Sequence, residues 1–229
     1  MRATAFLAMA ILLAASAVGA TPPIAVASPA KPTRVAHVAP VAKRALTTTS
    51  APAVDASEPW ASALGAIEVL NRNTNARGAI RFYDDHGQLD PEQARAFTRL
   101  ASDDDERLDA RVVQLAMRAA YHFKATSLSI VSATRPGAKG KHGTGEALDF
   151  ALEGVKAPVL AAYLRGLPRA GVGIYTHPKT QYVHLDVREH SYHWIDGSPP
   201  GVTWREQLLA DPKQAARDSS WTPRSDLPE

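Results

Sequence analysis

The chain has 229 residues, a formal charge of +3 and a sequence pI near 9.2, which leaves room for one ordinary domain plus extra segments. Much of the positive excess is carried by Arg2, Lys31, Arg34, Lys43 and Arg44. No basic stripe interleaved with aromatics follows, so a nucleic-acid partner is not expected. Cysteine is absent, which excludes a disulfide framework and a lipid-modified cysteine and leaves stability to the core and any metal.

The chain starts Met1-Arg2, runs apolar from Ala5 to about Val18, and reaches Val18-Gly19-Ala20 before Thr21-Pro22-Pro23. A basic start, a short apolar run and small residues ahead of a break predict a secretory signal peptide over residues 1–20, cleaved after Ala20. A membrane span needs about 20 apolar residues, so no stable span is expected after cleavage. The mature chain is expected in the periplasm or cell envelope. From Thr21 to Ser57 the sequence is mostly Ala, Pro, Val, Thr and Ser without an aromatic residue. Such a composition buries too little apolar surface to offset its ordering entropy and predicts a disordered tether over 21–57.

A globular domain is expected over 58–212. Ile67 to Asn71 and Ala79 to Tyr83 flank a polar turn, Arg72 to Gly78, and predict a hairpin. Asp90-Pro91-Glu92 supplies an N-cap, a proline for the first helical position and an acid in the first turn of a helix reaching about Ala101. The acidic run Asp103 to Glu106 lacks the glycine and terminal glutamate of an EF-hand loop and reads as a solvated helix start. Val112, Leu115, Ala116, Ala119 and Ala120 give the next helix, roughly Asp109 to Phe123, an apolar face.

Leu128 to Ser132 and Ala147 to Ala151 are expected strands, Ala157 to Leu167 a helix, and Gly171 to Tyr175 and Tyr182 to Val187 a closing strand pair. From Lys213 the polar end, 213–229, is expected to be a loose tail. No internal repeat is present. Helices first, then a mostly antiparallel central sheet with helices packed on one face, make the fold class α+β.

The chemistry concentrates in Lys141-His142-Gly143-Thr144-Gly145-Glu146-Ala147-Leu148-Asp149, answered by Tyr182-Val183-His184-Leu185-Asp186. Two imidazoles and a carboxylate are the protein ligand set of a catalytic zinc site, which keeps a fourth position for water. His142 sits in a glycine-flanked loop that can bend tightly. Asp149 lies between apolar neighbours on a strand, where a carboxylate is costly unless paired or metal-bound. Alternation puts Tyr182, His184 and Asp186 on one strand face. Spacing alone leaves this trio open between metal ligands and satisfied core residues.

Arg135 in Ser132-Ala133-Thr134-Arg135-Pro136, the His142-x-x-Gly145-x-Ala147-x-Asp149 string, and Gly171-Val172-Gly173-Ile174-Tyr175 followed by Val183-His184-Leu185-Asp186 occur in one order. In this the chain resembles the M15 zinc peptidases, in the MepK-like branch of murein endopeptidases, over roughly Ile67 to Trp194. Arg81-Phe82-Tyr83-Asp84 and Asp90-Pro91-Glu92 are similar to that branch as well. The resemblance implies an M15/Hedgehog-like zinc peptidase domain with one Zn2+ per chain held by His142, Asp149 and His184, and Arg135 facing the substrate or the developing oxyanion. It implies hydrolysis of peptide bonds in peptidoglycan stems or cross-links, with peptidoglycan peptides as the partner. A D-Ala-D-Ala-type carboxypeptidase and a non-catalytic zinc module that binds wall peptides are the alternatives.

Two positions depart from the family pattern. Gly140 stands where the family usually has a serine, and Gln181 where several branches place an acid, so that residue cannot serve as a base. Asp186 becomes the first choice for general base, with orientation of a histidine ligand as its alternative role. His177 reads as a turn residue. His190 and His193 read as loop residues, with Tyr192 and Trp194 packing or lining the cleft.

Overall fold

The computed structural model describes residues 58–102, 108–135, 137–202 and 206–229. The leader and tether expected over 1–57 and the acidic run at Asp103 to Glu106 lie outside the described residues. Strands β1 (Ile67–Asn71) and β2 (Arg77–Ile80) pair antiparallel as the expected hairpin. The second strand stops short of Phe82 and Tyr83, which are instead almost fully buried. Tyr83 packs on Tyr121 and keeps only an isolated bridge to Leu89. Two adjacent bulky rings cannot both enter the core from a pleated strand, whose side chains alternate between faces, so the ladder ends before them.

Helix α1 (Pro91–Ala101) begins where Asp90 accepts hydrogen bonds from the Glu92 and Gln93 amides. Helix α2 (Ala110–His122) is capped by Asp109 and buries Val112, Val113, Leu115, Ala116, Ala119 and Ala120. Strands β3 (Ser127–Ser132) and β4 (Ala147–Leu152), helix α3 (Ala157–Arg165), and strands β5 (Ala170–Tyr175) and β6 (Tyr182–Val187) fall where the periodicity places them. Strand β7 (Tyr192–Asp196) and a short β8 (Gln207–Leu208) complete one eight-stranded sheet in the order β2-β1-β3-β4-β6-β5-β7-β8. Only β1–β3 and β5–β7 are parallel among these pairings, so the fold is α+β with a mostly antiparallel sheet. Among the described residues no helix is long and apolar enough to cross a membrane.

The stretch 192–196, a loop by sequence pattern, is a strand. Tyr, His, Trp, Ile and Asp in succession carry no clean alternation, and the pairing that fixes them is a parallel ladder to β5, invisible to local pattern. The end of the chain also differs from the loose tail expected. Helix α4 (Gln214–Ser219) and a 3-10 turn at Pro223–Asp226 close it. Asp226 and Leu227 are buried. Arg111 grips both Asp226 oxygens, at 2.7 and 3.0 Å, and Trp221 donates to the same carboxylate at 3.0 Å. Asp226 and Asp218, which accepts from the Arg169 and Ser191 amides, turn inward to the domain, while Lys213, Ser219, Ser220, Thr222 and Arg224 stay exposed.

One face of β4, β5 and β6 is apolar, with Leu148, Phe150, Val172, Ile174, Val183 and Leu185 all buried, and α2 and α3 pack against these strands. The register fixes what the other face holds. One row across the strands is Ala147, Asp186, Gly171 and Tyr192; the next is Asp149, His184, Gly173 and Trp194; the third is Tyr182, Tyr175 and Asp196.

Candidate metal centre

Asp149 and His184 are direct cross-strand partners on β4 and β6, so their side chains meet without any help from loops. His142 arrives from the connection between β3 and β4. That loop is closed by the Arg135 amide on the His142 carbonyl at 3.0 Å and by the Glu146 amide on the Lys141 carbonyl at 2.9 Å. The three side chains each turn one donor atom to a common point. His142 Nε2 lies 3.2 Å from His184 Nδ1 and 3.3 Å from Asp149 Oδ1, and His184 Nδ1 lies 2.9 Å from Asp149 Oδ1.

Those separations suit one ion. Ligands about 2.0–2.1 Å from a tetrahedral centre stand about 3.3 Å from one another. The outward ring nitrogens are occupied as well: His142 Nδ1 donates to the Ala133 carbonyl at 2.5 Å, and His184 Nε2 to Asp186 Oδ2 at 3.0 Å. Each outward contact holds a proton on the outward nitrogen, so that a metal displacing the inward proton would meet the inward lone pair. Among the described residues this is the one cluster of three or more such side chains able to hold an ion. Two nitrogens and a carboxylate oxygen are three protein donors, the number of a catalytic zinc site, whereas a structural site takes four.

Asp186 lies behind His184. It is 1% exposed, and Arg188 grips both its oxygens while His184 takes one of them. These contacts put Asp186 on the outward side of the His184 ring, the geometry of the orienting role that was its alternative to general base; alternation put it on the right face but could not tell which ring nitrogen turns inward. Arg135 donates to Asp149 Oδ2 at 3.1 Å and to Ser132 Oγ at 2.9 Å, with its side chain 52% exposed. It is thus both the partner of the outer carboxylate oxygen and a cation presented to solvent beside the site.

Electrostatics follow these contacts. Burial raises the Asp149 pKa, but hydrogen bonds from His142 and His184 outweigh it and bring the carboxyl to about 2. Burial lowers the His184 pKa, yet the bonds to Asp149 and Asp186 lift it to about 9. Asp186 stays below its ordinary range because the bonds from His184 and Arg188 overcome its burial.

The two departures from the family pattern have local causes. Gly140 has φ +92°, a conformation that side-chain-bearing residues rarely adopt. Gln181 clasps the β5–β6 turn, donating to the Thr176 and His177 carbonyls at 3.2 and 3.3 Å. His177 stays in that turn, accepting from the Lys179 amide. His190 is exposed, whereas His193 is buried on β7, 3.5 Å from Asp211, so the two do not form a pair.

Sequence reasoning missed Arg188 and the purpose of Gly171 and Gly173. A Cβ on Gly171 would stand 2.3 Å from the Asp186 carboxylate, and one on Gly173 would stand 2.1 Å from the Trp194 ring. Trp194 in turn lies 5.6 Å from the His184 ring. Glycines two apart on a buried strand are a legible signal that large groups from neighbouring strands lie over them.

The fold and the centre together define an α+β domain with a three-donor site on one sheet face. A family model described as peptidoglycan L,D-endopeptidase MepK, of the M15 peptidases, matches residues 63–194. The chain belongs to this family. No curated protein and no solved structure matches it.

Proposed function

We propose that this chain is an exported zinc metallopeptidase that hydrolyses peptide bonds in peptidoglycan cross-links, acting as a murein endopeptidase on L,D bonds. The observation that carries the reading is the triangle of His142 Nε2, Asp149 Oδ1 and His184 Nδ1 at tetrahedral-edge spacing, with both outward ring nitrogens held by acceptors. Family membership supports the substrate class, and the leader and tether composition supports export. Zinc, when bound, polarises a scissile carbonyl and acidifies water to a pKa of about 7.

The chain's own residues divide the chemistry among them in this reading. His142, Asp149 and His184 hold the ion. Asp186 fixes the His184 ring and strengthens it as a donor, with Arg188 keeping the carboxylate charged. Arg135 fixes the outer Asp149 oxygen and presents positive charge where an oxyanion develops.

The test is mass spectrometry of cross-linked muropeptides incubated with the purified mature protein, with zinc supplied or chelated. Zinc-dependent conversion of dimers to monomers is expected, and the fragment masses name the bond. Loss of terminal D-Ala alone would make the protein a carboxypeptidase. Intact muropeptides with one zinc per chain would make it a binding module.

A further inference from the structure

Tyr175 ends β5 in the row beside Asp149 and His184, across from Tyr182 on β6 and Asp196 on β7. Alternation along β5 places it on the face of Gly173, the metal-centre face. Its ring is fixed from two sides. Tyr182 packs at 4.4 Å between centroids, and Trp194 meets it edge-on at 5.2 Å. Trp194 itself stands over Gly173 beside His184, so the ring that positions Tyr175 also borders a candidate ligand. The Asp149 carboxylate and the Arg135 guanidinium both act on the Tyr175 phenol.

The Tyr175 hydroxyl is not among the buried polar atoms left without a partner, so its tip reaches the surface of the metal-centre face. Among the described residues no hydrogen bond engages the Tyr175 hydroxyl. A rigid ring with an accessible O–H in the row beside the three-donor site is a donor set in advance, at no reorganisation cost when charge develops. Neither Asp149 nor Asp186 has an oxygen to spare for the substrate, since each carboxylate is taken by a histidine and an arginine.

We propose that Tyr175 is a further catalytic residue, whose hydroxyl donates a hydrogen bond to the substrate carbonyl oxygen as that oxygen gains negative charge. The inference rests on the hydrolytic reading above. Arg135 approaches from the Asp149 side and Tyr175 from the β5 side, so the two donors would flank the same oxygen. The hydrogen bond strengthens as charge builds, and the proton stays on the phenol throughout.

The test compares the zinc-loaded protein with its Tyr175→Phe variant, which keeps both ring contacts. For the variant, kcat on cross-linked muropeptides is expected to fall by about 10²-fold with KM little changed. Calorimetric affinity for acetohydroxamate, an oxygen-donor probe of the centre, is expected to fall about tenfold. Zinc content and the thermal midpoint are expected to match the wild type. Unchanged kcat with unchanged acetohydroxamate affinity overturns the proposal. So does a variant that loses zinc or melts early, because Tyr175 is then structural. A wild-type protein that leaves muropeptides intact but binds acetohydroxamate more tightly than the variant removes the hydrolytic reading while upholding the Tyr175 hydrogen bond. Equal affinities in that case remove both.

Discussion

At the scale of single residues, the centre is governed by which atom of each side chain faces inward. His184 turns Nδ1 to Asp149 and Nε2 to Asp186, and without metal these two acceptors hold it as an imidazolium up to about pH 9. A zinc ion bound at Nδ1, as proposed, would therefore have to displace a proton. At about pH 7.5 binding should release about one proton per chain, seen as calorimetric heats that vary with buffer ionisation enthalpy. Asp186→Asn removes one acceptor, so it should lower the proton release and weaken zinc binding by about 10–100-fold. Full cleavage at saturating zinc in that variant would fit orientation; lost cleavage with zinc retained would restore Asp186 as a proton carrier. The sign for stability follows from the same shift. The folded pKa of His184 exceeds its unfolded value, so its contribution to the metal-free fold is whole below about pH 6.5 and is lost as pH rises through about 9.

The donor types and their strands were legible from residue identity and alternation. The grouping of His142, Asp149 and His184 into one centre came instead from the resemblance to the M15 peptidases, and the cross-strand pairing of Asp149 with His184 from the sheet register. The tautomers were not legible, because they depend on the Ala133 carbonyl and on Arg188, neither of which any motif singles out. Gly140 reads as a weakness in the sequence; its positive φ shows a backbone demand instead.

At the scale of elements, β5 matters for what it lacks. Gly171 and Gly173 leave the Asp186 carboxylate and the Trp194 ring room to lie against the strand backbone. Either Gly171→Ala or Gly173→Ala forces a side chain away from its place, and overpacking of this kind costs about 1–3 kcal/mol. Urea denaturation should show that loss for each variant. Gly171→Ala should also weaken zinc binding, because the displaced carboxylate is the one that orients His184. Strands β3 to β6 were readable because each carries its own hydrophobic pattern. Strand β7 was not, since its identity depends on a partner distant in sequence and on a glycine opposite its tryptophan.

At the scale of the whole molecule, the chain end is bound into the domain that carries the site. Arg111 on α2 holds Asp226 and also donates to the Pro168 and Arg169 carbonyls just before β5, at 2.8 Å each. Trp221 lies beneath the Arg111 and Arg169 guanidiniums. Helix α2, the start of β5 and the last residues thus share one charged knot. Asp226→Ala would leave Arg111 buried without its counter-charge, and breaking such a pair costs about 3–5 kcal/mol. Thermal and urea unfolding should both show a large loss, with the transition still cooperative. Composition suggested a loose end because it counts polar residues without knowing that two of them, Asp218 and Asp226, are held inside the molecule.

The candidate ligands divide unequally between strand and loop. Asp149 and His184 are fixed by a ladder that opens only when the sheet does, while His142 is carried by a turn with glycines at positive φ on either side, Gly140 and Gly145. An ion in this centre would have two anchors of high local stability and one of low local stability. Its exit would begin with the His142 arm swinging out and would require no strand to part. Metal exchange and global unfolding would then be separate clocks: the residence time of a bound ion would follow the turn, and the lifetime of the fold the sheet.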